Sequence, residues 1–206
     1  MTPLPFAAIL AGGRARRMGR PKHALQLGGT SLLERLARRL RAHACELVVV
    51  GEGLEEAARP LGLRVVADPV PGRPGPLGGL LAALEAAPPG EAFVWAVDMP
   101  LVAPRALALL VAMARCAPEA AAVLFADANE RLQPLAGLYR PERCRTSLRR
   151  AFERGQRSVL RALRALPLVT VGAATLAGID PPLDTLAGCN TPEQFRALAQ
   201  RLRRRR

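Results

Sequence analysis

From Phe6 to Leu10 the chain is apolar without a break, and one residue later it stops on Gly12-Gly13. A run with no room for a charge reads as a buried strand, and the paired glycines mark a place where backbone approaches something closely. An arginine-crowded loop follows and ends in Pro21-Lys22. Beyond it, Ser31-Leu32-Leu33-Glu34-Arg35-Leu36 opens a helical pattern, with Ser31 three residues before Glu34 as a capping box. Strand, glycine turn, cationic loop and helix in succession are the parts with which a chain holds the phosphates of a nucleotide.

Lys22 is the only lysine among 30 basic residues. A compact ammonium suits a crowded phosphate pocket that a planar guanidinium enters less readily. The glycines follow neither the G-x-G-x-x-G dinucleotide pattern nor the G-x-x-x-x-G-K-[ST] phosphate loop.

The rest of the chain alternates strand and helix patterns. Strands are expected over Glu46-Gly51, Leu63-Asp68, Glu91-Asp98 and Ala120-Ala126, with helices over Leu54-Arg59, Pro76-Ala87 and Pro104-Arg115 between them. Such alternation implies parallel βαβ units in one layered α/β sheet. Later, Arg131-Arg140 reads as a strand returning antiparallel at the sheet edge, Pro141-Arg154 and Ser158-Leu166 as helices, and Leu168-Val171 as a short strand. Gly178-Gly188 reads as a loop. Thr191, Pro192 and Gln194 start a final helix as N-cap, first-turn proline and capping-box acceptor. With 206 residues and no long linker, one domain over 1–206 is expected.

Composition excludes some classes. No stretch of 18 uncharged apolar residues is present, so no membrane partner is expected. The first strand leaves no room for a signal peptide, and Cys45, Cys116, Cys144 and Cys189 lack zinc spacing. Both point to a cytoplasmic protein with reduced cysteines. The net charge of +13 raises nucleic-acid binding, but only 3% of residues are aromatic and no nucleic-acid motif appears, so no specific nucleic-acid partner is expected. A basic enzyme acting on two polyanions accounts for the charge as well as a basic RNA- or partner-binding protein does. The Arg201-Arg206 run is expected to be a frayed, solvated helix end.

In open parallel sheets, ligands sit outside the carboxyl ends of the strands. Asp68 and Asp98, two of five aspartates, fall at such ends. Asp98-Met99-Pro100 is placed to hold a divalent ion or else to cap a turn or the Pro104 helix, and Asp68 is placed for a ligand or for an Asp-Pro turn. Gly75-Pro76-Leu77-Gly78-Gly79 either brings a ligand close to free helix amides or makes a tight packing turn.

The string L-A-G-G-x-x-x-R-M-G-x-P-K over Leu10 to Lys22 resembles the signature loop of the molybdenum cofactor guanylyltransferases. The likeness extends to Asp68, to Gly75-Pro76-Leu77, to Asp98-Met99-Pro100 as the family's metal-binding D-x-P, to Gln133-Pro134-Leu135 with Leu138-Tyr139-Arg140, and to Asn190-Thr191-Pro192-Glu193. It implies a three-layer, mostly parallel, Rossmann-like α/β sheet of the nucleotide-diphospho-sugar transferase type. It implies GTP on Leu10, Ala11, Gly12, Gly13, Lys22, Asp68, Gly75 and Asp98, with Mg²⁺ on Asp98. Lys22, Arg17 and Asp98 would act in catalysis, and Gln133 and Asn190 on the pterin side. The second substrate would be molybdopterin or Mo-molybdopterin, and other molybdenum cofactor biosynthesis proteins would be partners. Three positions depart from the family: Pro21 where many members carry Asp, Gly51 where members can carry Asn, and Gly188 in place of the first Asn of N-x-N-T-P. The first is common in cytidylyltransferase relatives, which keeps the same chemistry with CTP or with a sugar phosphate open as the alternative.

The implied reaction needs no strong general base, because the attacking pterin phosphate is already an anion. His23 and His43 are the only histidines, and neither is placed as one. Arg140, Arg145, Arg149 and Arg157 could meet the pterin phosphate or cover solvated helix faces.

Overall fold

A computed structural model describes residues 2–12, 21–68 and 75–203. Seven strands form one sheet in the order β5-β4-β1-β6-β8-β7-β9. These are β1 (Leu4–Leu10), β4 (Ala44–Val50), β5 (Arg64–Val66), β6 (Ala92–Ala96), β7 (Ala122–Ala126), β8 (Leu132–Tyr139) and β9 (Leu168–Val171), all parallel except β8. Two-residue strands β2 (Gln26–Leu27) and β3 (Thr30–Ser31) pair as a small hairpin that the sequence pattern did not announce.

The central strands are buried on both faces, so they read as apolar runs rather than alternations. Ala7 and Ile9 of β1 join one core, and Phe6, Ala8 and Leu10 the other. The first core packs under α1 (Leu32–Arg41) and α4 (Pro104–Cys116), the second under α3 (Gly75–Ala86) and α5 (Pro141–Glu153). The result is the expected three-layer, mostly parallel α/β arrangement. In α1, Leu32, Leu33, Leu36, Ala37 and Leu40 are buried, each leucine contributing about 2 kcal/mol. Ser31 caps it, its hydroxyl accepting from Glu34 N at 3.1 Å, while the Glu34 carboxylate turns to Arg38. Only half of the expected box forms.

The short elements α2 (Glu55–Ala58), α6 (Val159–Leu163) and α7 (Ala173–Ala177) and the final helix α8 (Pro192–Arg203) complete the chain. Among the described residues no helix is long and apolar enough to cross a membrane.

Three expectations need correction. β8 is antiparallel, but it lies between β6 and β7 rather than at the edge. A tight turn joins it to β7, where Asp127 Oδ1 accepts from Asn129 N and Arg131 N at 2.8 and 3.1 Å. A turn this short forces antiparallel neighbours, and burial of the second half of β8 then inserts it into the sheet. The helix expected over Ser158-Leu166 is confined to Val159–Leu163 by the approach to Pro167. Arg201 is not frayed: it pairs with the buried Asp184 at 2.9 Å and donates to Pro182 O. Residues 204–206 of the basic run lie outside the described residues.

Candidate functional site

β1, β4, β5 and β6 run the same way and end at one edge, with Leu10, Val50, Val66 and Ala96. Beyond it the connections are stapled together. Ala11 N and Gly12 N both donate to Val50 O, Gly51 N to Val66 O, and Val97 N to Leu10 O. Gly12 and Gly51 pack backbone to backbone. A methyl group added to Gly51, whose φ is +144°, would lie 2.8 Å from Gly12 N. No side chain fits there, so the departure from Asn at position 51 has a steric basis.

Asp68 lies between Gly12 and α3. Methyl groups on Gly12 and Gly79 would sit 3.5 and 3.7 Å from its two carboxylate oxygens. Burial, and secondarily the charge of Glu52, raises the Asp68 pKa above 3.8. The fold therefore favours the protonated acid: that stabilisation is complete below the unfolded value and is lost as pH rises through the folded one. Asp68→Asn is accordingly expected to melt higher than the wild type at neutral pH, with the gain shrinking on acidification. Equal melting curves at pH 7 would contradict this.

Asp98 follows β6 by two residues; the strand ends at Ala96, earlier than the sequence pattern suggests. Its turn is anchored from below. Met99 N donates to Ala96 O, and the buried Trp95, edge-on to Phe125, donates Nε1–H to Met99 O at 3.1 Å. The Asp98 carboxylate does not cap α4: the amide of Ala103, at its start, donates to the Thr185 hydroxyl.

Lys22, in a short 3₁₀ turn, places Nζ 2.7 Å from Asp98 Oδ2, and the same ammonium donates to Asn190 Oδ1. The two charged side chains are only 22% and 18% exposed. Residues 76 and 168 positions from Lys22 thus converge on it. Asn190 is held by its own backbone, whose N–H donates to Gln194 Oε1 at 2.7 Å, while Gln194 N donates to the Thr191 hydroxyl.

Cys189, read from sequence only as a reduced cysteine, ties this segment to Asp98. Its backbone N–H and its thiol both point to Asp98 O, at 3.0 and 3.3 Å. Burial and the Asp98 charge push the thiol up to about 12 against the pull of Lys22, so it stays neutral and able to donate. No signal in the sequence marks it.

The other expected residues fall as follows. Gly75 opens α3 with φ +75°, beside Arg157. Gln133 donates to Asp127 Oδ2 at 2.9 Å within the β7–β8 turn. Gly13 and Arg17 lie outside the described residues. Arg140, Arg145, Arg149 and Arg157 serve the scaffold. Arg140 and Arg145 hold backbone carbonyls at the ends of α4 and α3, Arg149 pairs with Glu85, and Arg157 stacks on Phe152.

A cavity of about 370 Å³ opens on the β7 side of Asn190, between Asp127-Asn129, Leu183, Gly188 and the α8 residues Gln194 and Ala197. Leu183 on its wall and Glu130 beside Asn129 are the only described non-glycine residues with positive φ.

A mostly parallel sheet with Gly12, a lysine and a carboxylate at its carboxyl edge defines a nucleotidyltransferase. The chain matches the MobA-like NTP transferase domain over residues 7–167 and belongs to that family. It is 36% identical over 205 residues to the molybdenum cofactor guanylyltransferase of Rhizobium meliloti strain 1021, covering 93% of this chain and 89% of that protein. The identity is 37% over 195 residues to a probable molybdenum cofactor guanylyltransferase of Chloroflexus aggregans, with 91% and 90% covered. Among solved structures, molybdopterin-guanine dinucleotide biosynthesis protein A from Archaeoglobus fulgidus superposes with a TM-score of 0.82 at 25% identity, covering 97% of this chain and 99% of that one. The protein is an enzyme of this type.

Proposed function

We propose that the enzyme transfers GMP from GTP to the terminal phosphate of molybdopterin, with or without molybdenum, releasing pyrophosphate. The observation that carries this reading is the meeting of Lys22, Asp98 and Asn190 at the carboxyl edge of the sheet. The relatives' names supply the choice of guanine and of the pterin acceptor.

A pterin phosphate oxygen attacks the α-phosphorus of GTP, the bond from that phosphorus to the α–β bridging oxygen breaks, and pyrophosphate leaves with the electron pair. The barrier is repulsion between anions together with charge building on the leaving group. Lys22 is the described cation placed to offset both. The first amides of α3 would orient the phosphates.

Among the described residues no three His, Cys, Asp or Glu side chains gather to hold a metal. One carboxylate, Asp98, with the Asn190 amide oxygen nearby, fits Mg²⁺, which takes one or two protein carboxylates and fills its shell with water and phosphate oxygens. Bound there, Mg²⁺ would neutralise phosphate charge.

Turnover of GTP and CTP side by side with molybdopterin tests the nucleotide. Guanine in the dinucleotide product is expected, and exclusive use of CTP would overturn the assignment. The cavity beyond Asn190 is read as the acceptor side. Ala197→Trp, an exposed position on its wall, is expected to raise KM for the pterin about tenfold while leaving KM for GTP unchanged. A rise in the GTP value alone would move the acceptor elsewhere.

A further inference from the structure

Residues 140–165 hold nine arginines and two glutamates, a net +7 out of the chain's +13. Most of these arginines are committed. Arg140, Arg143 and Arg145 hold carbonyls, Arg149 pairs with Glu85, and Arg157 lies over Phe152 with its guanidinium carbon 4.7 Å from the ring centre. Arg150, Arg154, Arg161 and Arg164 are exposed and have no carboxylate partner among the described residues. The first three line an open basin of about 620 Å³ between α5 and α6, together with Ser147 and Gln156 and with no carboxylate. Beside Arg161 stands Leu160, 42% exposed and the only large hydrophobic side chain exposed among the described residues.

We infer that this face docks an acidic protein segment carrying an apolar side chain. The unpaired guanidinium groups of the basin select negative charge, and Leu160, outside the basin's lining but next to Arg161 in α6, offers an apolar contact at its margin. A nucleic acid fits less well, since the one aromatic ring here, Phe152, is 9% exposed and covered by Arg157, leaving nothing for bases to stack on. A second copy of a chain carrying +13 is repelled rather than attracted. The face adjoins the candidate site: a methyl group on Gly75, at the start of α3, would lie 3.9 Å from Arg157 Cβ. A docked partner would therefore sit near the start of α3.

The test uses the full chain and a labelled helical peptide in which one leucine is flanked by glutamates at i±3 and i±4. Fluorescence anisotropy at low and moderate salt reads its affinity. The triple reversal Arg150→Glu/Arg154→Glu/Arg161→Glu is expected to weaken binding at least tenfold, and Leu160→Asp, like Leu→Ala in the peptide, about fivefold. A control with the same net charge, Arg59→Glu/Arg105→Glu/Arg115→Glu, reverses exposed arginines on other elements and is expected to stay within twofold of the wild type. Circular dichroism verifies that each variant is folded. Equal weakening in both triple variants, indifference to either leucine, or tighter binding of a single-stranded oligonucleotide of matched charge would each overturn the inference.

Discussion

Lys22→Ala is expected to lower pyrophosphate release from GTP by about three orders of magnitude while the far-ultraviolet circular dichroism stays that of the wild type. The magnitude follows from what the ammonium faces. It is the only lysine, it sits 22% exposed against Asp98, and no other cation among the described residues contacts that carboxylate. When a triphosphate is present, a cation held so close can stabilise charge that grows during the reaction, whereas exposed arginines are screened by water. Lys22→Arg is expected to restore little, because a planar fork cannot occupy the position from which one amine reaches both Asp98 and Asn190. Activity of Lys22→Ala within tenfold of the wild type would remove the lysine from the mechanism and, with it, the reason for reading this edge as the active site.

Arg140→Met should produce the largest loss of stability. The Arg140 guanidinium is nearly buried and donates to the carbonyls of Ala114, Ala117, Pro118 and Ala120 at 2.7 to 2.9 Å, and to Glu91 at 2.9 Å. One side chain thus closes the carboxyl end of α4, fixes the turn into β7 and neutralises a carboxylate beside β6. Its removal strands carbonyls and a half-buried charge together, at a cost of about 3–5 kcal/mol. For a chain of this length that is a fall in Tm of about 10 °C. Arg140→Lys should recover only a minor part, since three rotating donors cannot span the positions a five-donor fork reaches. Adding Glu91→Gln to Arg140→Met should recover some of the loss by removing the orphaned charge. A Tm within 2 °C of the wild type, read in a thermal scan, would contradict this account.

The arginine bias takes on a different meaning in three dimensions. From sequence, Arg140, Arg145, Arg149 and Arg157 are open to a phosphate ligand; folded, they bind carbonyls, Glu85 and an aromatic ring. Arg35, Arg39 and Arg41 likewise reach the carbonyls of Leu27, Val102 and Leu61. Helix ends and turns leave carbonyls without partners, and a long planar donor satisfies them from a distance. Periodicity reports which face of a helix a residue occupies, but not which carbonyl its extended side chain meets.

Local chemistry wrote much of the fold into the chain. Uncharged runs gave buried strands because a doubly covered sheet tolerates no charge on either face, and Ser31 and Thr191 set the helix starts that their hydroxyls now cap. The glycine turn, Lys22, Asp68 and Asp98 could be picked out singly, because rare residue types stand at strand ends. What only the tertiary structure decided is contact across long separations: β8 inside the sheet rather than at its edge, Cys189 clasping the carbonyl of Asp98, and Asn190 meeting a lysine 168 positions away. Those depend on the order in which strands pair, which is governed by loop length and by the burial of whole faces, and no short window of sequence carries that information.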